Sequence, residues 1–313
     1  MLAMESEPRF PPAPAAEDFR PASLDMGEER WVDVDRIRTR YFERGSGPAI
    51  AFFHGGQYGS EDGSTARAFD VNFVPLSKYF RVVSVDRLGQ GFTENPATDA
   101  DYTMEASVKH AARFLRVLGK GPYHLVGHSR GGYLVSRLAL ENPDLVASCI
   151  SVASGTLSPG TSRTHLIHAD LPDWSVRANV RGWYERYAYD ARFVTEAFLD
   201  EPVAVASSAN FRIARDKMRR GLARSLFLPA LARQKRETHA WLLDRGMPCP
   251  TLVCWGYRDP GAVFENGRRL IDLYMRKQPR TEVCVFNHAG HFVFREYPAQ
   301  FNRAVHGFVS SCL

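Results

Sequence analysis

The chain has 313 residues, 44% hydrophobic and 24% charged, enough to bury one large core together with an inserted or appended subdomain. Its formal charge of +5 comes from 40 basic and 35 acidic residues scattered along the sequence, so the concentrated basic face that nucleic-acid binding needs is missing. No apolar run reaches the ~20 residues of a membrane-spanning helix, and the five cysteines (Cys149, Cys249, Cys254, Cys284, Cys312) fit neither a zinc pattern nor an even disulfide set. They are expected to be reduced thiols, mostly buried. The acidic start, residues 1–8, lacks the basic region and long apolar stretch of a secretory signal, which makes the cytoplasm the expected compartment.

Residues 1–27 are rich in Pro, Ala and acids with no apolar period, and are expected to form a disordered tail. Residues 31–34 and 37–42 then read as two short strands turning at Asp35. After a break at Gly45-Ser46-Gly47-Pro48 comes a third, residues 49–53. Residues 81–86, 123–126, 145–152, 250–255 and 281–286 are short, β-branched and nearly continuous in hydrophobicity, as buried parallel strands are. Between them, residues 104–118, 131–140 and 263–278 carry apolar side chains at helical spacing, and 298–308 form a final helix. Strand and helix in alternation predict an α/β fold, a mostly parallel twisted sheet with helices on both faces. Residues 157–235 break the rhythm, with no strand but with Trp174, Trp183, Tyr184, Tyr187, Tyr189 and Phe198 among arginines at helical spacing. They are expected to be a helical lid inserted after strand six, between core segments 28–156 and 236–313.

The sharpest chemical signal is Gly127-His128-Ser129-Arg130-Gly131-Gly132, where a predicted strand meets a predicted helix. This is the G-x-S-x-G pattern in the context it requires, a serine lifted on a tight turn between glycines that let strand and helix approach. A serine hydroxyl is hardly ionised at neutral pH and needs a base. His291, on the loop between the last strand and the last helix, is the expected base, with His288 three residues away as the alternative. Asp259, just past the strand at 250–255, is the expected acid that orients it. Phe53-His54-Gly55-Gly56-Gln57 follows the third strand, and the backbone N–H groups of Gly56 and Arg130 are the expected oxyanion donors.

Together these residues resemble the α/β-hydrolase fold superfamily from about residue 31 to the end, with the triad in the order Ser, Asp, His. Asp86-Arg87-Leu88-Gly89-Gln90-Gly91 is similar to the D-x-x-G-x-G turn of many members. Gly290-His291 with Glu296 and Pro298 is similar to their G-H-x-x-x-x-E-x-P ending, which selects His291 over His288. The resemblance also implies supporting roles for His54 and His128. The nearest group is the lid-bearing one, with carboxylesterases, carbon-carbon bond hydrolases of aromatic ring cleavage, dehalogenases and epoxide hydrolases. Trp255-Gly256 and the stretch Tyr189-Asp190-Ala191-Arg192-Phe193-Val194-Thr195-Glu196 are similar to the ring-cleavage enzymes, with His128 and Phe292 where that group usually has asparagine and tryptophan. The elbow also resembles the G-H-D-R-G-G of fluoroacetate dehalogenases, with Ser129 for the aspartate and Tyr133 for their further arginine. That likeness implies a carboxylate contact for Arg130.

The expected activity is serine hydrolysis of a carboxylic ester through an acyl-enzyme, with no metal or organic cofactor. Two readings stand beside it: carbon-carbon bond hydrolysis of a meta-cleavage-type vinylogous diketone, and a non-catalytic small-molecule receptor on the same fold. The expected partner is a small molecule, carboxylate-bearing or aromatic, and neither nucleic acid nor membrane; homodimerisation is left open. Substrate contacts are expected from Arg130, His54, Gln57, Tyr133, Trp183, Tyr187 and Phe292.

Overall fold

A computed structural model describes residues 24–60, 62–160 and 176–313, so residues 1–23 of the expected tail, and Trp174, lie outside the described residues. Residues 24–27 depart from the tail expected through Gly27: Met26 is buried against the core, and the Leu24 N–H donates to Asp70 Oδ2 at 3.1 Å. One anchoring methionine carries no periodic signal, which is why composition alone placed it in the tail.

The chain opens with a hairpin, β1 (Arg30–Val34) and β2 (Ile37–Arg44), closed by Asp35 and Arg36 at φ 53° and 67°. Positive φ at both positions is what a two-residue turn needs to match the strand twist. β2 lies antiparallel to β4 (Arg81–Val85). β4 runs parallel with β3 (Ala49–Phe53), β5 (Tyr123–His128), β6 (Val146–Val152), β7 (Thr251–Gly256) and β8 (Thr281–Phe286). The sheet order is β1-β2-β4-β3-β5-β6-β7-β8. The chain therefore leaves β3 to one side for β4 and returns to its other side for β5. At such a reversal the loops at the strands' carboxyl ends diverge and leave a crevice. The register pairs Phe53 with Gly127, which sets the His54 loop beside the Ser129 turn.

Helices α1 (Asp70–Leu76), α2 (Met104–Leu118) and α3 (Arg130–Glu141) connect the first strands. α2 shows why these segments start and stop where they do. The Thr103 hydroxyl accepts from the Ala106 N–H, Glu105 sits in the first turn, Arg116 in the last, and Gly119 at φ 61° ends it. Between β6 and β7 come α4 (Val176–Tyr187), α5 (Glu196–Ala206), α6 (Ala209–Lys217), a wider coil Met218–Phe227 kinked at Gly221, and α7 (Leu228–Asp244). The chain closes with α8 (Phe264–Met275), α9 (Val293–Glu296) and α10 (Pro298–Ser311). Phe114, Leu138 and Tyr274 from α2, α3 and α8 fill one face of the sheet, while Phe73, Phe301 and Phe308 from α1 and α10 fill the other.

The inserted helices are fastened to the core by polar contacts. Glu201 of α5 receives Arg40 Nη2 at 2.6 Å and Arg67 Nε at 2.7 Å. α7 is fixed to α3 by Tyr133 OH donating to Gln234 Oε1 at 2.9 Å and Arg137 Nη1 donating to Thr238 Oγ1 at 3.0 Å. The boundary expected at residue 235 falls in the middle of α7, because one face of that helix packs on the core while its amino end faces the insertion. All five cysteines are free thiols, and no helix among the described residues is long and apolar enough to cross a membrane.

Candidate active site

Ser129 stands between β5 and α3 at φ 54°, ψ −114°, a conformation that L-residues seldom adopt and that persists only when its surroundings enforce it. The enforcement is visible in the glycines. A Cβ on Gly127 would lie 2.1 Å from Gly131 O, and one on Gly131 would lie 2.1 Å from Phe53 O. The Ser129 N–H donates to Val152 O at 2.8 Å, which ties the turn to β6.

His291 follows an edge strand, yet it reaches the centre because the loop after β8 folds back over the end of β7. The Arg258 N–H donates to Ala289 O at 3.0 Å, and Gly256 leaves room for Gly290 O, which a Cβ would meet at 2.0 Å. His291 Nδ1 lies 2.6 Å from Asp259 Oδ2, both residues buried. The other carboxylate oxygen of Asp259 accepts from the N–H groups of Gly261 (2.9 Å) and Ala262 (2.8 Å). Asp259 therefore holds the imidazole with Nδ1 as donor and leaves Nε2 as the acceptor a general base needs. The backbone of His291 is held as well, its N–H by Tyr187 O at 2.8 Å and its carbonyl by His128 Nε2 at 2.9 Å. Glu296 accepts from the N–H groups of Gly290 and Phe292, and from those of Tyr189 and Asp190 in the insertion, at 2.9 to 3.1 Å. Ser129 and His291 line the same cavity. Among the described residues no hydrogen bond joins the hydroxyl to Nε2, a contact that in many hydrolases tightens only with substrate present. His288 is exposed and stacks on Tyr189 instead.

The loop after β3 abuts this pair, since a Cβ on Gly55 would lie 3.2 Å from Ser129 Cβ. Behind it, Arg87 Nη2 donates to the carbonyls of Gly55 and Gly56, both at 2.6 Å, and to Gln90 Oε1 at 2.7 Å. Both glycines line the cavity, and Arg87 engages their carbonyls. Asp62 lies under Gly56, where a Cβ would come 2.7 Å from its Oδ2, and accepts from the hydroxyls of Ser60 and Ser64. Burial raises the Asp62 pKa, against the pull of those hydroxyls and of Arg87. Sequence reading missed Arg87 and Asp62: the first was hidden inside the D-x-x-G-x-G turn, and nothing in the pattern marks the second.

The cavity holds about 500 Å³ and is lined by four of the expected contact residues, Gln57, Arg130, Trp183 and Tyr187. Trp183 stacks on Tyr187 with ring centres 4.5 Å apart. The Arg130 guanidinium carbon lies 5.2 Å from the centre of the Phe227 ring, and its Nη1 is shielded from solvent with no hydrogen-bond partner among the described residues. Burial brings its pKa down to about 10, although Asp62 pulls the other way. His54, Tyr133 and Phe292 are not in the lining. Both ring nitrogens of His54 are engaged by its own loop, Nδ1 with Gly55 O at 2.8 Å and Nε2 with the Arg87 N–H at 3.1 Å. Tyr133 is turned outward to Gln234, and Phe292 is packed among Tyr184, Phe193 and Phe294. Burial holds the pKa of His54 and of His128 well below the ordinary histidine value, helped by Arg87 for the first and by His291 for the second.

Residues 50–304 match the model of the Alpha/beta hydrolase family, and the chain belongs to that family. The chain is 26% identical over 308 residues to the 2-hydroxy-6-oxo-6-(2'-aminophenyl)hexa-2,4-dienoic acid hydrolase of Metapseudomonas resinovorans, covering 94% of this chain and 95% of that one. It is 28% identical over 290 residues to the 2-hydroxymuconate semialdehyde hydrolase of Pseudomonas sp. (strain CF600), covering 92% and 95%. Among solved structures it is similar to a variant of the meta-cleavage product hydrolase from Pseudomonas fluorescens IP01, at 22% identity and a TM-score of 0.74 over 91% of this chain and 98% of that one.

Proposed function

We propose that the chain is a serine hydrolase that cleaves the carbon-carbon bond beside a ketone in a conjugated, carboxylate-bearing substrate. The observation that carries this reading is the Arg130 guanidinium next to Ser129, its Nη1 without a hydrogen-bond partner among the described residues, in a cavity lined by Trp183 and Tyr187. A planar guanidinium matches a carboxylate, and apolar aromatic walls suit a conjugated body. The names of the curated relatives, a dienoic acid hydrolase and a semialdehyde hydrolase, favour the same substrate class.

In this mechanism His291 takes the Ser129 proton as the oxygen attacks the ketone, and the N–H groups of Gly56 and Arg130 hold the oxyanion. Collapse breaks the carbon-carbon bond. Its electron pair passes into the conjugated acid, which takes the proton from His291. Water, deprotonated by His291, then releases the second acid from the acyl-serine.

Ester hydrolysis is the second reading, and the specific features that favour it are His128 and Phe292 at positions where ring-cleavage hydrolases usually carry asparagine and tryptophan. Steady-state turnover of a 2-hydroxy-6-oxo-dienoate, an aryl ester and an alkyl ester separates the two. The dienoate is expected to turn over fastest, with Ser129→Ala reducing the rate by roughly 10³-fold or more. Good ester turnover with an inert dienoate would replace this reading with the ester one, and turnover indifferent to Ser129→Ala would end both.

A further inference from the structure

One stripe of α7 does work that the proposed reaction does not use. Ala230, Gln234 and Thr238 bury one side of this helix against the core. Leu228, Leu231, Ala232 and Lys235, spaced i, i+3, i+4 and i+7, turn a neighbouring side toward the cavity. The stripe begins next to Phe227, whose ring centre lies 5.2 Å from the Arg130 guanidinium carbon. It ends in an ammonium group two turns further on. Lys235 is half-buried, and among the described residues it has no ion pair or hydrogen bond. The acidic side chain in the lining, Asp62, is already engaged by Ser60 and Ser64. Burial lowers the Lys235 pKa with no carboxylate to offset it, whereas a surface lysine reaching solvent would show neither feature.

We propose that Lys235 is a second anion-binding residue, so that the cavity takes a substrate with two carboxylates, one at Arg130 near the start of the stripe and one at Lys235, which lies roughly 10 Å along the helix axis from Leu228. This rests on the reading that the cavity is the substrate site. Leu228, Leu231 and Ala232 cover the apolar span between the two charges, and a chain with an uncharged far end leaves the ammonium unmet. Lys235 thus sets specificity at the end of the substrate away from the reacting bond.

Calorimetric titration of Ser129→Ala with nonanedioate and with its monomethyl ester tests this without turnover, because the two ligands share length and differ by one charge. The diacid is expected to bind at least tenfold more tightly. Adding Lys235→Met is expected to bring it down to the level of the monoester, and Lys235→Arg, which keeps the charge, to retain the preference. Equal binding of the two ligands, a preference that survives Lys235→Met, or binding of neither would overturn the proposal. A wrong assignment of the reaction would show differently, as wild-type inactivity toward the dienoate with the diacid preference intact.

Discussion

A methyl group is the smallest change that tests the turn carrying Ser129. At Gly131 it would meet the Phe53 carbonyl at 2.1 Å, so β3, β5 and α3 must separate to admit it. Gly131→Ala is expected to destabilise the protein by about 1–3 kcal/mol in urea unfolding and to lower kcat at least tenfold. Arg87 offers a cleaner separation of chemistry from folding. It is buried, with no hydrogen-bond partner for Nε or Nη1 among the described residues, and burial, followed by repulsion from Arg130, brings its pKa down to about 9. Such a cation is kept in place by what its Nη2 does, which is to hold the carbonyls of Gly55 and Gly56 in the loop proposed to supply an oxyanion donor. Arg87→Met is expected to lower kcat by roughly 10²-fold with little change in KM, since the loop's donors act on charge that appears only in the transition state. A change confined to KM would show instead that Arg87 shapes the binding wall.

Among the elements, the loop between β8 and α9 depends on a single carboxylate. Glu296 serves four backbone N–H groups on two segments, and a glutamine there keeps one acceptor oxygen and brings an unwanted donor. Glu296→Gln is expected to cost about 2 kcal/mol in denaturant unfolding and to loosen Tyr189 and Asp190 first, read by amide hydrogen exchange. The strands and the principal helices were legible because their signal is local: α2 matches its apolar period end to end, and the buried strands are near-continuous apolar runs. α1 was not predicted, since seven residues containing Pro75 are too short to show a period. That Ser129, Asp259 and His291 meet at one end of the sheet was legible because each falls just past a predicted strand. The cavity wall was not: whether Tyr133 faces the site or Gln234 depends on how α7 docks, a long-range fact that no spacing along the chain contains.

The whole molecule buries several neutral imidazoles, and that gives its stability a pH dependence of known sign. Burial lowers the pKa of His110 and His124 to about 4 and holds His54 and His128 well down too. Below the ordinary histidine value of about 6.5 the unfolded chain takes up protons that the folded chain refuses, so stability falls as pH drops from there toward about 4. The expected slope is up to about 1.4 kcal/mol per pH unit for each histidine, measured by urea unfolding across that window. His110→Gln, at a residue outside the cavity lining, is expected to reduce that slope by one histidine's share. A different feature joins the cavity wall to the imidazole, the bond from the His291 N–H to the carbonyl of Tyr187 at the end of α4. Any displacement of that end of α4 is carried by this bond to the backbone of His291. Cavity wall and imidazole are thus tethered through one backbone hydrogen bond, so a substitution that shifts Tyr187 is expected to shift His291 with it.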